Sequence, residues 1–246
     1  MSSSRFTSSL YLLTLFLLLQ NVLGVDPLYS SCSGNEKSTA NYGSYKTSLN
    51  VLLSSFNQLA PAMEGFALGS LGQENLDRPY GIVLCRGDVS SSDCRACVAD
   101  ATREILKRCP DSKQGFIAYD NCLSKYTNKD FFGQIDTQNR IYLYNVRNVS
   151  NPVIFNQKTE ALLSQLANKA SYKARKMYAA GELELEGPKK LYGMAQCTRD
   201  LSSGDCEKCL DGAIGELRGF SGGKEGGRVI GGSCAVRYEI YPFVKA

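Results

Sequence analysis

Cys85-Arg-Gly-Asp-Val-Ser-Ser-Ser-Asp-Cys94-Arg-Ala-Cys97 returns further along the chain as Cys197-Thr-Arg-Asp-Leu-Ser-Ser-Gly-Asp-Cys206-Glu-Lys-Cys209. Eight residues and then two separate the cysteines in both copies. A shift of 112 positions also lays Tyr80-Gly81 on Tyr192-Gly193, Cys122 on Cys234, Tyr126 on Tyr238 and Phe131 on Phe243. Self-similarity at so long a period marks two whole domains, each large enough to bury a core of its own when disulfides assist. We place them at residues 26–131 and 137–243.

The ten cysteines form the framework. The chain opens with one charge, Arg5, an apolar run from Leu10 to Leu19, and small residues at Val22-Leu23-Gly24, which is the pattern of a secretory signal peptide over residues 1–24. The run is shorter than the roughly 20 residues that span a bilayer, and no second apolar segment follows it, so the mature protein is expected outside the cell without membrane insertion. In an oxidising compartment ten cysteines read as five disulfides. A zinc or redox role for Cys-x-x-Cys fits less well, because each repeat has one such pair, a third cysteine stands nine positions upstream of each, and the chain has no histidine. We therefore expect no metal and no cofactor.

Repeat 2 has counterparts of Cys85, Cys94, Cys97 and Cys122, but Ser221 stands where Cys109 would be and nothing matches Cys32. If the two domains share a framework, Cys32 and Cys109 bond to each other. Among the remainder the sequence favours Cys85 with Cys94 and Cys97 with Cys122, repeated as Cys197 with Cys206 and Cys209 with Cys234. Spacing leaves open the crossing of Cys85 with Cys97 and Cys94 with Cys122.

Apolar residues Leu49, Leu52, Leu53, Phe56 and Leu59 recur at helical spacing between Lys46 and Ala60, and again within 161–170 as Leu162, Leu163 and Leu166. A second helix opens at Ser90 and stops before Pro110, and its copy runs from Ser202 to Gly219. The repeated Ser and Asp residues have a capping role there and carry no chemistry. Strands are expected at 116–119, 121–126, 140–144, 227–230 and 234–241. Each domain reads as α+β, a small antiparallel sheet with two helices packed on one face.

Function is narrowed mainly by exclusion. Without histidine the chain lacks the Ser-His-Asp and Cys-His systems and a histidine general base, and no Asp/Glu constellation stands out as a glycosidase pair, so we expect no enzyme. The run from Gly222 to Arg228 follows a helix and lacks the Ser or Thr of a phosphate loop, so it reads as a helix-to-strand connection. A net charge of +4, or +3 once Arg5 is removed, gives no basis for a nucleic-acid partner. Asn148-Val-Ser150 is a glycosylation sequon. Oligomeric state leaves no mark on the sequence.

The cysteine spacing, the preceding Tyr-Gly, the Gly-Gly-Arg-Val and Arg-Tyr-Glu-Ile-Tyr-Pro-Phe segments and the duplication together resemble the plant cysteine-rich repeat secretory proteins, built from two ginkbilobin-homologous domains. The resemblance covers the whole mature chain. It implies the favoured disulfide order, two helices and five strands per domain, an apoplastic location and a role in defence or stress. Relatives carry a transmembrane helix, alone or followed by a kinase; with Ala246 three residues beyond Phe243, neither is expected here.

In the single-domain antifungal relative, mannose is held by an Asn directly after the first cysteine, an Arg six residues before the last and a Glu five after it. Domain 1 has Ser33, Phe116 and Thr127 at those places and is not expected to bind in that way. Domain 2 has Asn145, Arg228 and Glu239, with Tyr144 replacing the cysteine that anchors the Asn. A guanidinium beside a carboxylate suits a pair of sugar hydroxyls, provided that the chain reverses at Gly231-Gly232 to bring Arg228 to Glu239. The expected partner is then a mannose-containing polysaccharide, as for an antifungal lectin. The alternative is a non-lectin module that binds a receptor ectodomain or another extracellular protein.

Overall fold

The computed structural model describes residues 26–35, 42–73, 78–185 and 187–244, so the expected signal peptide lies outside the described residues. The first repeat forms β1 (Tyr29–Asn35), α1 (Tyr42–Ala62), β2 (Phe66–Ser70), β3 (Tyr80–Cys85), α2 (Ser91–Arg108), β4 (Ser112–Ala118) and β5 (Cys122–Thr127). The second repeats that order as β6 (Arg140–Tyr144), α3 (Pro152–Tyr172), β7 (Tyr178–Glu184), β8 (Lys190–Cys197), α4 (Ser203–Ser221), β9 (Gly226–Gly231) and β10 (Cys234–Glu239). Each repeat closes a five-stranded antiparallel sheet, in the orders β1-β4-β5-β3-β2 and β6-β9-β10-β8-β7.

Local chemistry sets the helix ends. Ser90 and Ser202 are N-caps whose hydroxyls each accept a hydrogen bond from the backbone N–H of an Asp three residues on, Asp93 and Asp205, at 3.1 Å. Asn151 caps α3, with Pro152 in the first turn, where a missing N–H costs nothing. That start lies well before the apolar run at 161–170, because the first turn of α3 is polar or exposed until Phe155. On α1 the buried face is Tyr45, Leu49, Leu52, Leu53, Phe56 and Ala60, whereas Leu59, assigned to the stripe from sequence, is 44% exposed on its rim. Helix and sheet approach closely at Gly193, where a Cβ would come within 3.0 Å of Leu162 and Leu166.

Period-two alternation divides each sheet's side chains between two faces. Val83, Cys85, Ile117 and Tyr126 point to α1 and α2, and Ala195, Val229, Val236 and Tyr238 to α3 and α4, giving each repeat its own core. The intervening residues point the other way and meet across the repeats: Phe66, Ile82, Leu84, Phe116 and Leu123 pack with Ile141 and Ile230. The layers are therefore helices, sheet, sheet, helices. Polar contacts also cross this interface, as where the buried Gln196 amide donates to the carbonyl of Cys85 at 3.0 Å and, nearer the surface, Arg199 donates to that of Met63 at 2.6 Å.

The disulfides join Cys32 to Cys109, Cys85 to Cys94, Cys97 to Cys122, Cys197 to Cys206 and Cys209 to Cys234. Cys85 and Cys122 are cross-strand neighbours, as are Cys197 and Cys234, so the first turns of α2 and α4 are each stapled to two adjacent strands. Cys32–Cys109 ties the edge strand β1 to the end of α2. In the second repeat that work falls to aromatic packing: Tyr142 and Tyr144 of edge strand β6 lie with ring centroids 5.0 and 4.9 Å from Phe220 of α4. Arg140 and the Tyr142 hydroxyl both donate to Glu216, at 2.6 and 3.1 Å.

Candidate functional site

The chain reverses at Gly232-Ser233, one position beyond the Gly231-Gly232 turn expected, because Gly231 still pairs with Arg140 as the last residue of β9; β9 and β10 then pair so that Arg228 lies beside Arg237 and Gly226 beside Glu239. On the other side of β9, Leu143 lies beside Arg228, and Asn145, just past the end of β6, donates its backbone N–H to Gly226 at 2.8 Å. Three neighbouring segments thus bring Asn145, Arg228 and Glu239 together on the sheet face turned away from the helices. They line one cleft of about 180 Å³, along with Gly226, Arg237 and Tyr241. Gly226 is required there, because a Cβ on it would sit 1.8 Å from the Glu239 carboxylate.

The charges of the cleft are engaged with one another. Arg228 donates to Asp120, which comes from the first repeat, and Arg237 approaches the same carboxylate at 3.5 Å. Arg237 also donates Nε–H to Glu239 at 3.0 Å and Nη2–H to the Tyr241 hydroxyl at 3.3 Å, and its guanidinium lies 4.3 Å from the Phe243 ring centroid. The Glu239 side chain is 9% exposed. Burial raises its pKa, against the opposing pull of Arg237 and Arg228 and hydrogen bonds from Arg237 and Tyr241. The side-chain oxygen of Asn145 accepts the N–H of Arg147 at 3.0 Å, a local turn that fixes the residue without the cysteine that Tyr144 replaces.

Sequence reasoning missed Arg237, Tyr241 and Asp120. The first two were findable, since Arg237, Glu239 and Tyr241 alternate on a strand and its extension and so share a face. Asp120 was not, because it belongs to the other repeat. At the corresponding place in the first sheet, Phe116 is 1% exposed in the core between the sheets, and the Ser33 hydroxyl donates to Gln114 at 3.0 Å. Phe116 and Thr127 supply no guanidinium and no carboxylate.

Among the described residues no group of three or more Cys, Asp or Glu side chains is placed to hold a metal ion, and no helix is long and apolar enough to cross a membrane. The sequon residue Asn148 is exposed, with its backbone bridged to Lys224.

The salt stress response/antifungal family profile matches residues 31–129 and again 144–241, one match on each sheet. The chain belongs to the salt stress response/antifungal family. Across its full length it is 53% identical to an antimicrobial ginkbilobin-2-like protein of Castanea crenata, which it also covers completely. Over 89% of its length it is 51% identical to cysteine-rich repeat secretory protein 38 of Arabidopsis thaliana, covering 86% of that protein. The fold resembles the tandem DUF26 ectodomain of the Arabidopsis cysteine-rich receptor-like protein PDLP8, with a TM-score of 0.73 and 27% identity over 88% of this chain and 98% of that one. This family membership agrees with the resemblance read from the cysteines, and the α+β architecture is that of a tandem DUF26 ectodomain.

Proposed function

We propose that this family member is a non-catalytic, secreted apoplastic protein of defence or stress that binds mannose-terminated carbohydrate through its second domain. The observation that carries the reading is the convergence of Asn145, Arg228 and Glu239 on one cleft, from three segments that are adjacent only once β6, β9 and β10 have paired. A carboxylate that accepts beside guanidinium groups that donate matches adjacent hydroxyls on a sugar ring with charge-assisted bonds. The antimicrobial name of the chestnut relative agrees with such a role. An N-glycan at the exposed Asn148 completes the picture of an extracellular protein. Passage over immobilised mannan is the test. The native protein is retained, and free mannose releases it while galactose does not.

A second reading has its own observation. Asp120 already occupies donors of Arg228 and Arg237, and the solved likeness is the ectodomain of a receptor-like protein, so the cleft charges could serve the domain interface while another surface binds an extracellular protein. Failure of the native protein to bind mannan selects this reading.

A further inference from the structure

Beyond the three residues named from sequence, we propose that Tyr241 is a binding residue of the same cleft, presenting its ring to the C–H face of the bound sugar; this rests on the carbohydrate reading above. The side chain lines the cleft yet is 45% exposed, so its ring is offered to solvent beside a carboxylate and two guanidinium groups. Pyranoses carry hydroxyls around a rim and C–H groups on their faces. A cleft of charged groups satisfies the rim and leaves the face to an aromatic surface, whose electron-rich π cloud suits C–H contact.

An exposed tyrosine alone would mean little. This one is fixed at both ends. Its hydroxyl accepts from Arg237 at 3.3 Å and is hydrogen-bonded to Glu239, and so is tied to the groups that would meet the sugar. Two residues on, the Phe243 ring packs on the other contact surface of Arg237, with 4.3 Å between centroid and guanidinium carbon. The Phe243 carbonyl accepts from Arg86 of the first repeat at 3.3 Å. The tail after β10 is thereby strapped across the domain junction and holds the Tyr241 ring as a wall of the cleft, so little ordering remains for the moment of binding.

The experiment uses methyl α-mannopyranoside with the native protein and with Tyr241→Phe, Tyr241→Ala and Arg228→Ala. Affinity is measured by titration, and saturation transfer is recorded from the aromatic protons to the sugar ring protons. The inference expects Tyr241→Phe to stay within about threefold of native and Tyr241→Ala to weaken binding about tenfold, as an aromatic contact of this size allows, with transfer to the ring protons reduced. Native-like binding by Tyr241→Ala while Arg228→Ala is inactive overturns this inference and leaves the carbohydrate reading standing. Equal damage from Phe and Ala assigns the effect to the hydroxyl and also overturns it. No binding by the native protein overturns both.

Discussion

Replacing Asp136 with Asn should lower the melting temperature by about 6–12 °C. Asp136 lies between the repeats, and its carboxylate accepts from Lys125 Nζ at 2.9 Å, with the two side chains 9% and 7% exposed. It also accepts the backbone N–H groups of Gln138 and Asn139 at 2.9 and 3.0 Å and the Asn139 amide at 2.8 Å. Asparagine keeps the shape but leaves a buried ammonium without its counter-charge, a change that costs roughly 3–5 kcal/mol. At the lower figure of about 3 kcal/mol, and about 2–4 °C per kcal/mol for a chain of this size, the shift above follows. Adding Lys125→Met should recover part of the loss, because no charge is then stranded. The same residue sets an acid limit. Burial alone would raise the Asp136 pKa, but Lys125 and the bonds from Asn139 together hold it below its ordinary value of 3.8. A depressed carboxylate contributes stability that is present above the unfolded pKa and lost as pH falls through the folded one. Calorimetry from neutral pH downward should therefore show a loss below about pH 4 in the native protein that is smaller in Asp136→Asn. A melting point within 2 °C of native for Asp136→Asn, or a double variant as unstable as the two single losses added, would refute the reasoning.

Removing Cys32–Cys109 by paired alanines should cost about 4.5 kcal/mol in the loop-entropy description, because it bridges a separation of 77 residues, against about 2.6 for the separation of 9 at Cys197–Cys206; denaturant titration of the two variants tests the order. Phe220→Ala should speed amide exchange across β6 more than elsewhere, since that ring holds the edge strand to α4; unchanged protection of 140–144 would show that Glu216 suffices. Asp120→Ala should leave stability within about 1 kcal/mol, as for a half-exposed ion pair, and strengthen mannan retention by releasing Arg228; weaker retention would make Asp120 a ligand. Mannan binding should fade on acidification already above pH 4.5, because the raised Glu239 pKa brings protonation of the acceptor early; constant binding down to pH 4 would contradict this.

The cysteines and the helical stripes were legible because each is local. A repeated spacing marks a repeated domain, and Ser90 and Ser202 announce their helices by the hydrogen bonds they make. β1, β2, β3, β7 and β8 were not legible from their own residues. β3 reads Tyr80-Gly-Ile-Val-Leu-Cys85, a nearly continuous apolar run, because one face packs on helices and the other on the second sheet. Such a strand loses the alternation that would reveal it. Of the cleft, the family resemblance named Asn145, Arg228 and Glu239, and the structure makes them neighbours through a reversal one residue beyond the Gly231-Gly232 expected. The partners of those residues were hidden for a different reason. Asp120 lies more than a hundred positions from Arg228 and meets it only because two apolar sheet faces pack together.

Calorimetric titration of the native protein with methyl α-mannopyranoside at neutral pH, beside Arg228→Ala and Glu239→Ala, bears most directly on the central claim. Saturable heat with one site per chain, lost in both variants while their melting temperatures stay near native, is the predicted result. Two sites, heat that survives in Arg228→Ala, or no heat from the native protein would contradict it.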